Sequence, residues 1–117
     1  MNKRRLGNEK EALAAGFLEA QGYQIIQKNF YCRQGEIDLI ARDGEYLVFV
    51  EVKYRVDTSR GWAAQAVDIR KQRRISRAAG YYLYREKMGT DQACRFDVVA
   101  IDGDRITLYK HAFPYRK

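Results

Sequence analysis

Three carboxylates and a lysine interrupt two runs that otherwise read as buried β-strands. Glu36 and Asp38 lie in Gly35-Glu36-Ile37-Asp38-Leu39-Ile40, and Glu51 and Lys53 in Val48-Phe49-Val50-Glu51-Val52-Lys53. Acids set close together on a sheet repel one another, and burial makes each harder to ionise. A hard divalent cation with oxygen ligands would relieve that repulsion. The same residue types also fit a sheet-edge salt-bridge cluster, Glu36 with Arg42 or Lys53, that needs no metal.

The two runs are joined by Asp43-Gly44, a signal for a two-residue type I′ hairpin. Pairing Arg42 with Glu45 across that turn sets Asp38 opposite Phe49 and Glu36 opposite Glu51, which makes Asp38 and Glu51 diagonal neighbours. Diagonal positions on one face lie about 7 to 8 Å apart, within reach of a shared ion. Lys53 projects from that face as well. A slip of one residue would send Asp38 to the other face.

Two helices must position further groups. In the first, Glu11 shares the stripe of Ala14, Ala15 and Leu18, which faces a core, although Asn8 with Glu11 also reads as a capping box. The second starts near Asp68, a good N-cap, and carries Ile75, Ala78, Ala79, Tyr82 and Leu83 on its apolar side. Arg70, Arg73, Arg74 and Arg77 occupy its opposite side, suited to phosphate contacts or simply to water. Lys71 falls on the side of Ile75, where its stem either snorkels to solvent or carries its ammonium toward a phosphate. Gln65 is a weaker candidate of the same kind. Arg55, Arg60 and Trp62, in the segment 54–66 beyond Lys53, could contact a backbone and stack on an unpaired base, while Trp62 equally fits a core lid.

Composition narrows the chemistry. The 117 residues make one domain, and a net charge of +7 points to polyanions: DNA, RNA or an anionic surface. No apolar stretch is long enough to span a bilayer, and Met1-Asn2-Lys3-Arg4-Arg5 leads into no apolar signal region, so a cytoplasmic location is the default. Cys32 and Cys94 lack metal-ligand spacing, and with His111 the only histidine, zinc, Ser-His and Cys-His chemistry are unsupported. Carboxylate, lysine and divalent metal remain.

The expected order is helix 8–21, strands 23–30, 35–42 and 45–54, helix 68–87, and strands 95–102 and 105–111, with residues 1–6 and 112–117 as flexible basic tails. Gly22 closes the first helix and Asp102-Gly103 marks a second tight turn. This is an α/β single domain with a mixed sheet flanked by helices. Phe96 reads as core, and Asp97 as the partner of Arg95 or Lys71.

At Asp38 and Glu51-Val52-Lys53 the chain resembles the PD-(D/E)xK nuclease superfamily, with Ile37 in place of the proline of its name. Together with Arg95-Phe96-Asp97-Val98, these motifs are similar to the YraN-like family of small bacterial proteins, over roughly residues 7–110. The resemblance implies an αβββαβ restriction-endonuclease-like core with an extra C-terminal strand. It also implies a metal-dependent nuclease acting on DNA, at branched or single-stranded structures. Asp38, Glu51, the Val52 carbonyl and Glu11 would hold Mg²⁺ or Mn²⁺, and Lys53 would orient the attacking water or stabilise the transition state. The family pattern also has a lysine at Lys71. The rival readings are a nucleic-acid-binding module of the same fold that cleaves little or nothing, and a docking subunit of a DNA-processing assembly. A homodimer would suit a symmetric substrate.

Overall fold

The computed structural model describes residues 3–55 and 67–117, so Arg60, Trp62 and Gln65 lie outside the described residues. The elements are α1 (Lys3–Ala20), β1 (Gln24–Cys32), β2 (Gly35–Asp43), β3 (Tyr46–Arg55), α2 (Ile69–Arg85), β4 (Cys94–Asp102) and β5 (Arg105–Tyr109). The strands form one mixed sheet in the order β1-β2-β3-β4-β5, antiparallel except where β3 and β4 run parallel. The α/β single-domain architecture with a mixed sheet and flanking helices is the one expected from the element order.

The sheet separates two cores. On one face α1 packs Ala14, Ala15 and Leu18 against Leu39, Ala41, Val48, Val50, Val99 and Ile101. On the other, α2 packs Ile75, Ala78, Ala79 and Tyr82 against Ile40, Leu47, Phe49, Phe96 and Val98. β3, the middle strand, feeds both cores from alternate positions, which explains why its sequence is apolar on both sides. No helix of the described residues is long and apolar enough to cross a membrane.

The helix boundaries follow from local chemistry. Gly22 at φ 96° ends α1 while the Tyr23 N–H donates to the Leu18 carbonyl at 3.0 Å. Asp68 caps α2, its side chain accepting from the Lys71 N–H at 2.9 Å.

Three local expectations change. α1 begins at Lys3, so Asn8 and Glu11 lie inside the helix and no capping box explains Glu11. The C-terminal residues are packed: Phe113 is buried and stacks on Phe96 with ring centroids 5.1 Å apart, and the Arg116 N–H donates to Ser76 Oγ at 3.0 Å. The hairpin turns over Gly44-Glu45, because Asp43 pairs with Tyr46 and Arg42 with Leu47. Gly44 supplies the positive φ of 61° that such a turn requires.

That register differs from the expected one by two residues, an even number, so the faces are preserved. Continuing it beyond the last ladder pair, Leu39 with Val50, brings Asp38 level with Glu51 instead of diagonal to it.

Candidate active site

β2 and β3 part where the acids begin. Instead of continuing the ladder, the Val52 N–H donates to Asp38 Oδ2 at 2.8 Å, so a side chain replaces a backbone acceptor and its orientation is set. The alternation of β2 also breaks at this point: Ile37 enters the α2 core, but Leu39, two residues on, enters the α1 core. Across the ladder, Asn29 lies between the pairs Lys28–Leu39 and Phe30–Ile37, level with Asp38, and holds a left-handed φ of 55°. Asparagine tolerates that conformation better than most side chains.

The opening is a pocket of about 260 Å³ lined by Glu11 and Lys10 of α1, Asp38 of β2, Glu51 and Val52 of β3, and Lys71 of α2. Both helices therefore reach the gap between the strands from opposite faces of the sheet. Glu51 is 4 % exposed, and Lys71 Nζ sits 2.7 Å from its Oε1. Lys10 spans the rim with its ammonium 4.4 Å from the centre of the Tyr54 ring.

The electrostatics are those of a crowded anionic site. Burial, then the charge of Asp38 and the hydrogen bond with it, pushes Glu11 up to about 7, and the Asn29 side chain works the other way. Burial, then the charge of Asp38, pushes Glu51 up to about 8 against the opposing pull of Lys71. Burial alone would lower Lys71, but the Glu51 carboxylate overcomes it and raises the ammonium above its ordinary value. The 2.7 Å contact with Lys71 favours the ionised form of Glu51.

Among the described residues no three His, Cys, Asp or Glu side chains close into a ready-made metal cage. One atom nevertheless fits an ion: Glu11 Oε1 is buried and has no hydrogen-bond partner among the described residues. Buried acceptors are nearly always satisfied, so an orphaned carboxylate oxygen beside two further carboxylates is the donor set that a hard divalent cation takes.

The structure thus brings Glu11, Asp38, Glu51, Val52 and Lys71 together. Lys53 is half-buried and does not line this pocket. Arg55 points elsewhere, its Nε 3.2 Å from Asp102 Oδ1. Arg70, Arg73, Arg74 and Arg77 are exposed along α2, and Glu36 is exposed at the start of β2. Asn29 and Lys10 join the site without having stood out in the sequence. An asparagine inside a strand pattern was the only available signal for the first, and a helix position next to Glu11 for the second.

The family described as "Uncharacterised protein family UPF0102" matches residues 10–101. A UPF0102 protein of Lachnoclostridium phytofermentans is 50% identical over 113 residues, covering 97% of this chain and 96% of that protein. One from Alkalilimnicola ehrlichii is 44% identical over 122 residues, with 97% of each chain covered. One from Aeromonas hydrophila is 48% identical over 108 residues, 92% of this chain and 83% of that protein. With a family match running from Lys10 to Ile101, through Glu11, Asp38, Glu51 and Lys71, the chain belongs to the UPF0102 family.

Proposed function

We propose that this protein is a metal-dependent nuclease of the PD-(D/E)xK type, hydrolysing phosphodiester bonds in branched or single-stranded DNA. The observation that carries the proposal is the buried Glu11 Oε1, unpartnered among the described residues, in a pocket it shares with Asp38 and Glu51. A protein that only binds DNA gains nothing from buried acids that repel phosphate.

Glu11, Asp38, Glu51 and the Val52 carbonyl would hold Mg²⁺ or Mn²⁺. Such an ion, when bound, lowers the pKa of a water and neutralises charge developing on the scissile phosphate. The Val52 N–H keeps the Asp38 carboxylate turned into the pocket. Lys71 Nζ holds Glu51 in place, and Lys71 lines the pocket, positioned to donate to a phosphate oxygen as charge grows there. That role, assigned to Lys53 by the motif, passes to a lysine on the helix. The exposed Arg70, Arg73, Arg74 and Arg77 grip the flanking backbone without reading sequence.

The test is cleavage in Mg²⁺ and in Mn²⁺ of duplex, single-stranded, flap and four-way-junction DNA, beside Asp38→Asn. The expected result is nicking of branched or single-stranded substrates that the variant lacks while still binding them. Binding without cleavage in every case would make the protein a binding module.

A further inference from the structure

A second cavity, of about 310 Å³, shares a wall with the acid pocket and is not used by the chemistry above. It lies between the β1–β2 turn and the first turns of α2, lined by Tyr31, Cys32, Glu36, Lys71, Arg74 and Ile75. Lys71 lines both spaces, so an occupant of the second cavity is a direct neighbour of whatever sits against Glu51. We propose that this cavity receives one unpaired nucleobase beside the scissile phosphate; the proposal rests on the nuclease reading and narrows its substrate to strands with an unstacked nucleotide.

The chemistry of the lining selects a base over the other parts of a nucleotide. Glu36 is an exposed carboxylate that would repel a phosphate and accept from an exocyclic amine or a ring N–H. Tyr31 is 64 % exposed on the edge strand, outside both cores, and offers a ring for stacking. Arg74 and Lys71 supply the positive charge for the phosphates on either side.

Size and rigidity support the same occupant. The volume stands at the lower end of small-molecule pockets, enough for a single base. The wall is preformed: a Cβ on Gly35 would meet the Arg74 carbonyl oxygen at 3.3 Å, so the turn rests directly on the helix backbone. The Cys32 thiol donates to the Gly35 carbonyl at 3.4 Å and steadies the turn from inside.

The test is a fluorescence titration, in metal-free buffer, of a single-stranded DNA pentanucleotide carrying 2-aminopurine. Wild type should quench the probe saturably, and Tyr31→Ala should remove the quenching and weaken binding about tenfold. Tyr84→Ala, at an 80 % exposed tyrosine outside the cavity, should change neither. Unaltered quenching by Tyr31→Ala, or equal quenching when the same base is paired in a duplex, overturns the proposal. Cleavage is scored separately on the same proteins. Tyr31-dependent quenching without cleavage by wild type would sink the nuclease reading and uphold the base site.

Discussion

Two clusters of carboxylates, one centred on Asp97 of β4 and one shared by α1, β2 and β3, are treated in opposite ways. Around Asp97, which has no solvent exposure, every lone pair is claimed. Arg95 donates from Nε to Oδ1 at 2.9 Å and from Nη2 to Oδ2 at 2.9 Å, Tyr23 donates to Oδ2 at 2.7 Å, and the His111 N–H donates to Oδ1 at 3.0 Å. Arg95 Nη2 also reaches Asp43 Oδ2 at 2.8 Å. At the Glu11, Asp38 and Glu51 cluster, among the described residues, three acids face one close ammonium, and a buried oxygen has no partner. A polar network that is complete ties a fold together, whereas one left incomplete destabilises it until something binds.

The largest expected effect falls on the complete network. Arg95→Ala should destabilise the protein by about 3–5 kcal/mol, because it leaves Asp97 buried and unpaired. Urea denaturation measures this, and the loss should be the same with or without Mn²⁺. A loss below about 1 kcal/mol would place the two clusters in one class.

Adding the ion should affect the incomplete cluster alone. At pH 8, Mn²⁺ at a hundred times its dissociation constant should stabilise wild type by about 2.7 kcal/mol, and Glu11→Gln by much less. pH should act in the converse sense. Glu11 and Glu51 carry folded-state values of about 7 and about 8, above the ordinary 4.5. Protonation therefore favours the folded state, and the stability it contributes is whole below about pH 4.5 and lost as pH rises through 7 and 8. Denaturation of the metal-free protein across pH 4.5 to 8.5 measures this, and a rise in stability over that window would contradict it.

A smaller effect has the opposite sign to that of Arg95→Ala. Asp38→Asn keeps an acceptor for the Val52 N–H and removes a charge from beside two acids, so it should stabilise the metal-free protein by about 1 kcal/mol at pH 8. At pH 4.5 the gain should vanish, since the neighbours are then protonated. Replacing Arg70, Arg73 and Arg74 should leave stability alone and reduce the salt-dependence slope of DNA binding by about 2 to 3. An unchanged slope removes the α2 face from the binding surface.

The sequence carried the layers of the fold, since α2 states its faces by helical spacing and β3 its centrality by apolarity on both sides. Within the acid cluster, Glu11 and Lys71 were legible as inward-facing helix positions. Register was less so: Asp43-Gly44 and Gly44-Glu45 are both workable two-residue loops, and only cross-strand packing chooses between them. The Asp97 network was half legible. Arg95 lies two residues away, but Tyr23 and Asp43 are brought in from 74 positions before Asp97 and 52 before Arg95, a separation no local pattern encodes. The face change at Asn29 and Asp38, and the docking of Phe113 on Phe96, likewise arise only once the sheet has formed.

Direct Mn²⁺ binding at pH 7.5, followed by calorimetry or electron paramagnetic resonance, tests whether the incomplete cluster is a divalent-cation site. Wild type should show one saturable site per chain, kept in Tyr84→Ala and lost in Glu11→Gln with the fold intact. No saturable binding by wild type, or full binding by Glu11→Gln, would contradict it.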